Sequence, residues 1–163
     1  MKRVTGIGGI FFKAKDAPSL QAWYKRHLGI EVQAWGGAAF DWTDAEGKPV
    51  AGTTAWCIDP QESDHFAPSS APFMVNYRVE DLHALVKALK DEGCNVLEKI
   101  DESEYGKFGW VVDPEGNKVE LCSRLKASDL REGGTDLRCV RRQKGPHEAR
   151  WDCRRDGRIF RQR

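Results

Sequence analysis

Nothing in this chain approaches the ~18 consecutive apolar residues that a membrane-spanning helix requires. A leader is not expected either. Lys2 and Arg3 precede an apolar stretch to Phe12, but that stretch is short, broken by glycines and followed by Lys13 without a small-x-small cleavage site, so export is not expected. Cysteine is sparse. The five cysteines, at 57, 94, 122, 139 and 153, are an odd number without paired Cys-x-x-Cys spacing. That argues against a disulfide framework and for reduced thiols in a cytoplasm. Cys139, His147 and Cys153 match no zinc-ligand spacing. A strong overall charge is absent too, at +1. What is present suits an ordinary globular protein: 163 residues, 40% apolar and 31% charged, enough for one compact domain or two half-domains sharing a core.

The weak net charge hides an asymmetry. Residues 126–163 hold twelve Lys/Arg, ten of them arginine, against six Asp/Glu, which leaves fourteen basic and nineteen acidic residues in the rest. The tail has few large apolar side chains and no sustained helical or strand period. It has too little to bury to offset its ordering entropy. A boundary is placed near Leu125, with a folded domain over 1–125 and a basic, disordered or loosely docked tail over 126–163. A nucleic-acid-binding arm is the sharper alternative for the tail, but a nucleic-acid partner is not expected.

The body repeats itself, the sign to look for first. Aligning Asp16 with Asp81 places Leu20 on Leu85 and Tyr24 on Leu89. Gly29 and Gly93 then lie thirteen and twelve residues past the aspartate. Farther on, FDWTDAEGK (Phe40–Lys48) matches WVVDPEGNK (Trp110–Lys118). Each unit reads as strand, helix and three strands. Gly9 to Lys13 is rich in β formers. Asp16 stands at an N-cap position, Pro18 in the first turn and Gly29 at the helix end. Leu20, Trp23, Tyr24, His27 and Leu28 recur with helical spacing and predict one buried face. Asp81, the stripe Leu82, Leu85, Val86 and Leu89, and Gly93 repeat this. Further strands are expected at 31–35, 38–43, 53–58, 96–101, 108–113 and 118–123, with glycine turns at 44–47 and 113–116. Residues 59–71, rich in Pro, Ser and Asp, read as a linker between modules at about 4–58 and 72–125.

The segments Ile10-Phe-Phe with Asp16, Trp23-Tyr24 through His27-Leu28-Gly29, and DPEGNKVEL (Asp113–Leu121) resemble the vicinal-oxygen-chelate superfamily of glyoxalases, bleomycin-resistance proteins and extradiol dioxygenases. The resemblance covers residues 4–125. It implies an α+β fold: two tandem βαβββ modules forming a curled, cup-shaped mixed sheet with helices outside. It also implies a homodimer. Metal-binding members use His and Glu from the first and last strands of each module. Carried over, those positions fall on Gly9, near Ala55-Trp56, on Met74 (or Phe73) and on Glu120. Only Glu120 matches.

Strand alternation puts Met74, Asn76 and Arg78 on one face, with Phe73, Val75, Tyr77 and Val79 toward the helix. Lys118, Glu120 and Cys122 likewise share a face. The cup is therefore expected to hold Phe11, Lys13, Asn76, Arg78 and Glu120. Without a metal, a buried Glu120 needs a partner, and Arg78 or Lys118 is expected to supply it. Trp35, Trp42, Trp56 and Trp110 fall on candidate strands, as core or as an aromatic wall. His27 and His83 read as helix-surface residues. His65, near Glu62 and Asp64, is a loop residue that could reach over the cup. Two functions stay open. One is a metal-free protein binding a small, partly aromatic or cationic molecule, with ligand contacts from Phe11, Lys13, Trp56, Met74, Asn76, Arg78 and Trp110. The other is a metal-dependent lyase or isomerase of the glyoxalase type, with Glu120 as metal ligand. A metal-free enzyme would use Glu120 as its catalytic base.

Overall fold

The computed structural model describes residues 3–103 and 106–124, and the backbone of 138–144 and 148–154. Two similar units follow one another. The first comprises β1 (Val4–Ala14), α1 (Ala17–Leu28), β2 (Gly37–Thr43) and β3 (Pro49–Pro60). The second comprises β4 (Phe73–Val79), α2 (Leu82–Asp91), β5 (Asn95–Ser103), β6 (Gly106–Val112) and β7 (Lys118–Ser123). They merge into one mixed seven-stranded sheet, ordered β2-β3-β1-β4-β7-β6-β5. The fold is α+β, with an open, curled sheet. In each unit the first strand pairs in parallel with the last, β1 with β3 and β4 with β7. The two first strands meet antiparallel at the centre.

The punctuation that marks the repeat is built as expected. The Asp16 and Asp81 carboxylates accept from the Ser19 and Ala84 amides at 3.0 and 3.1 Å, capping both helices. Gly29 closes α1 with φ of +66°, in the left-handed region that glycine enters without a Cβ penalty. The two acidic turns are the same device used twice. Asp44 Oδ1 accepts from the Glu46 and Lys48 amides, and Asp113 Oδ1 accepts from those of Glu115 and Asn117.

Three details depart from the sequence reading. Residues 31–35 form no strand, so the first unit is one strand short. Their backbone groups bond locally instead: the Val32 amide to the Ile30 carbonyl, and the Gln33 amide to the Gly37 carbonyl across a turn at Gly36, whose φ is +87°. Trp35 is thereby folded back into the core. The helical stripe of α1 is also only half buried. Leu20 and Tyr24 pack on Phe12, Trp56 and Ile58. Trp23 and Leu28 stay 50% and 59% exposed, and Trp23 stacks on His27 one turn along. In the tail, where no regular element was expected, Arg138–Lys144 and Glu148–Arg154 pair as a separate two-stranded antiparallel sheet. The rest of the basic tail lies outside the described residues.

The core has three parts. On the helix side, Ala14, Ala17 and Ile58 pack under α1. Leu82, Leu85 and Val86 of α2 pack on Val79 and Leu121 of the sheet. On the opposite, concave face lies a larger aromatic cluster of Phe11, Trp35, Phe66, Met74, Phe108 and Trp110 with Ala55 and Cys57. Burying one such large side chain contributes about 1.5–3 kcal/mol. Among the described residues, no helix is long and apolar enough to cross a membrane.

Candidate functional site

Register builds the site. Trp110, Glu120, Asn76, Gly9 and Ala55 are successive Cα partners across β6, β7, β4, β1 and β3, a single row over the concave face. Glu120 is fully buried in that row. Asn76 Nδ2 donates to its Oε1 at 2.5 Å, and Trp110 Nε1 donates to its Oε2 at 2.9 Å. Above them the linker dips back into the cup. A short 3-10 turn, Asp64–Phe66, buries the Phe66 ring and brings His65 Nε2 to 3.6 Å from Glu120 Oε2. The other ring nitrogen, Nδ1, lies 3.4 Å from Oδ2 of Asp59, which is also fully buried. One imidazole thus bridges two buried carboxylates. Protonated, it carries a donor on each nitrogen, one within hydrogen-bond distance of Asp59 and the other within ion-pair distance of Glu120. Neutral, it donates through one.

The surroundings hold this bridge in place. Cys57 Sγ lies 3.5 Å from Asp59 Oδ1, and Cys122 Sγ lies 2.8 Å from Asn76 Oδ1. Lys118 Nζ donates to the His65 carbonyl at 2.6 Å and sits 5.2 Å from the Trp110 ring centroid. Phe11 meets the His65 ring edge-on, and Lys13 Nζ lies 4.9 Å from the Phe66 ring centroid. Burial alone would push the Glu120 carboxyl up. The contacts from His65, Asn76 and Trp110 outweigh that and hold it below the ordinary glutamate range, so it is a carboxylate.

Of the residues read from the sequence, Phe11, Met74, Asn76, Trp110 and Glu120 come together, and Lys13 lies at the rim over Phe66. Three expectations are corrected. Trp56 faces the other way: alternation along β3 sends Ala55 and Cys57 into the cup, while Trp56 packs on Phe12 and Tyr24. Neither Arg78 nor Lys118 is the partner of Glu120; Asn76, Trp110 and His65 fill that place. Arg78 instead lies with its Cζ 3.5 Å from the Trp42 ring centroid. His65 does reach the cup, but its acidic partners are Asp59 and Glu120 rather than Glu62 or Asp64. His27 lies against Trp23, and His83 pairs with Glu102 at 2.7 Å on the surface. Asp59 lies just past the strand expected at 53–58, which in the structure runs on to Pro60. Two residues more of the Ala55, Cys57 alternation would have placed it on the cup face.

A divalent metal of the kind the fold uses can be tested against this donor set. The four corresponding positions hold Gly9, Ala55 or Trp56, Met74 or Phe73, and Glu120. Glu120 alone offers a suitable donor, and both its oxygens already accept hydrogen bonds. Among the described residues, no three or more His, Cys, Asp and Glu side chains gather to hold an ion. The residues present do not fit the usual site.

Comparison with known proteins agrees with the architecture. No curated protein matches the sequence. Among solved structures, a methylmalonyl-CoA epimerase from Streptomyces coelicolor in complex with 2-nitronate-propionyl-CoA is similar, with a TM-score of 0.54 at 17% identity, over 76% of this chain and 99% of that one. The methylmalonyl-CoA epimerase from Mycobacterium tuberculosis gives 0.52 at 15% identity, over 77% of this chain and 92% of the other. At such identities the likeness is one of fold. The model of the glyoxalase-like domain matches residues 9–122, from the centre of β1 to the end of β7. This chain belongs to the glyoxalase-like family, and through it to the vicinal-oxygen-chelate superfamily.

Proposed function

We propose that the protein binds a small organic molecule on the concave face of its sheet, without the family's metal site. The observation that carries this reading is the state of Glu120. The one family ligand position that is retained has both oxygens engaged by Asn76 and Trp110, with His65 alongside. An aromatic wall remains around it, suited to a flat or apolar ligand. Phe66 and His65 fill the end of the cup near Glu120. On this reading the ligand enters at the end beside Trp42 and Arg78, both of which are half-buried. The reading includes a cytoplasmic location, which the odd number and irregular spacing of the cysteines support. It also includes a homodimer, supported by exposed Ile7, Ile10 and Phe73 on the central strands.

The test is a screen of neutral and charged organic compounds against the full chain, read by tryptophan fluorescence, beside elemental analysis after divalent-metal loading. Saturable quenching by at least one compound in metal-free protein is expected. The absence of any binder, together with about one tightly held ion per chain lost in Glu120→Gln, would overturn the reading. A metal-dependent lyase or isomerase would then take its place.

A further inference from the structure

The end of the concave face away from His65 carries a feature that the Glu120 site does not use. Arg78 is the next inward position after Asn76 on β4. Its guanidinium lies over the Trp42 ring, 3.5 Å from the centroid, and the Arg124 guanidinium lies 5.4 Å from the same centroid. Trp42 is held by its own Nε1, which donates to Thr54 Oγ1 at 2.9 Å. Three glycines clear the space. A Cβ at Gly6 would strike Arg78 Nη2. One at Gly8 would meet Arg78 Cγ at 3.1 Å and collide with Asn76 Oδ1. One at Gly52 would strike the Trp42 ring and come within 2.5 Å of Arg124 Nη2.

Two like charges are thus brought together over one ring, and no carboxylate among the described residues pairs with Arg78. Its Nε is buried and has no hydrogen-bond partner. Buried donors of this kind are rarely left unmade, because the group loses its water without gaining an acceptor. Burial, with Arg124 adding to it, holds the Arg78 guanidinium below its usual value, although such a group stays charged. A planar fork of N–H donors matches an oxyanion in two-pronged fashion.

We propose that Arg78, Arg124 and Trp42 form an anion site, and that the molecule bound on the concave face carries a carboxylate or phosphoryl group. This rests on the small-molecule reading above and narrows it: the ligand is anionic rather than cationic. The Arg78 fork receives the oxyanion, Arg124 completes the charge from the rim, and the organic part extends toward Asn76 and the aromatic wall.

The experiment uses the full chain at low ionic strength, titrated with inorganic phosphate and with benzoate, and with chloride at matched ionic strength as the control. Tryptophan fluorescence and calorimetry give the readout. Saturable binding of at least one oxyanion is expected, weakened about tenfold or more in Arg78→Gln and severalfold in Arg124→Gln. Preference between the two probes tells phosphoryl from carboxylate. If Arg78→Gln fails to fold, the surface variant Arg124→Gln decides, and its undiminished binding overturns the proposal. Binding no tighter than chloride overturns it as well. The two readings fail differently. Phosphate binding lost in the arginine variants, with no organic binder at all, sinks the small-molecule reading and leaves the anion site. Benzoate and phosphate that bind equally to wild type and both variants sink the anion site and leave the other.

Discussion

Trp110 Nε1 and Glu120 Oε2 lie 2.9 Å apart across adjacent strands, on residues that face each other in the β6–β7 register. The indole is both a wall of the aromatic cluster and a donor to the buried charge. Trp110→Phe keeps most of the wall and removes the donor. The carboxylate still accepts from Asn76, so a loss of about 1–3 kcal/mol is expected from the unmade bond, with some addition for the smaller ring. Urea unfolding of the full chain measures it. In Glu120→Gln the charge is gone, and the same tryptophan substitution should cost less. Equal costs in the two backgrounds would show that the bond contributes nothing.

Glu120 also sets a pH dependence. Its carboxyl is held below the ordinary value of 4.5 by His65, Asn76 and Trp110 despite complete burial. The unfolded chain therefore takes up this proton at a higher pH than the folded one. The stability from this group is complete above the ordinary glutamate range and is lost as pH falls through 4.5 toward the lower folded value. Unfolding free energies of wild type and Glu120→Gln, compared across this range, isolate the group from other carboxylates. The wild-type curve should fall more steeply on acidification. Parallel curves would contradict the assignment of a depressed carboxyl.

Phe66 ties the linker into the cup. It is fully buried among Phe11, Met74 and the other side chains of the concave-face cluster, with Lys13 over its ring. Phe66→Ala should cost about 3–5 kcal/mol. Apolar cavities of this type can stay dry and take up small apolar molecules. The variant should gain affinity for benzene-sized compounds that wild type does not bind, read by a rise in melting temperature on their addition. A loss below about 1 kcal/mol would mean that the turn at Asp64–Phe66 does not anchor the cup as described.

The sequence was most informative where one side chain sets one local geometry. Asp16, Asp81, Gly29, Asp44 and Asp113 each act within a few residues, so their caps and turns could be read directly. Strand parity also worked for Phe11, Met74, Asn76 and Glu120, because one face of the sheet is buried on each side. It failed for Trp56 only through the choice of parity between Ala55 and Trp56. The strand expected at 31–35 was lost to a glycine turn that closes on local bonds, a competition that β propensity does not reveal. The bridge that His65 makes between Glu120 and Asp59 was least legible. It joins residues 55 and 61 positions apart in the chain, through a linker whose fold is set by what it covers. The Arg78–Trp42 contact is of the same long-range kind, and only the sheet order brings β2, β3, β1 and β4 side by side.

The family match ends at residue 122, and the last strand of the seven-stranded sheet ends at Ser123. Every strand of that sheet and both helices lie before Arg124. Among the described residues, the three buried clusters draw all their members from residues before Arg124. A chain ending at Leu125 should therefore remain soluble and unfold in one cooperative transition, within a few degrees of the full chain. The truncation retains Arg124 and Trp42, so oxyanion binding should survive it. Scanning calorimetry of the two proteins side by side checks the first expectation, and phosphate or benzoate titration checks the second. Aggregation, or a broad melt without a cooperative peak, would show that residues 126–163 contribute to the core. A cooperative melt with lost anion binding would place part of the anion site in the tail, where ten arginines lie.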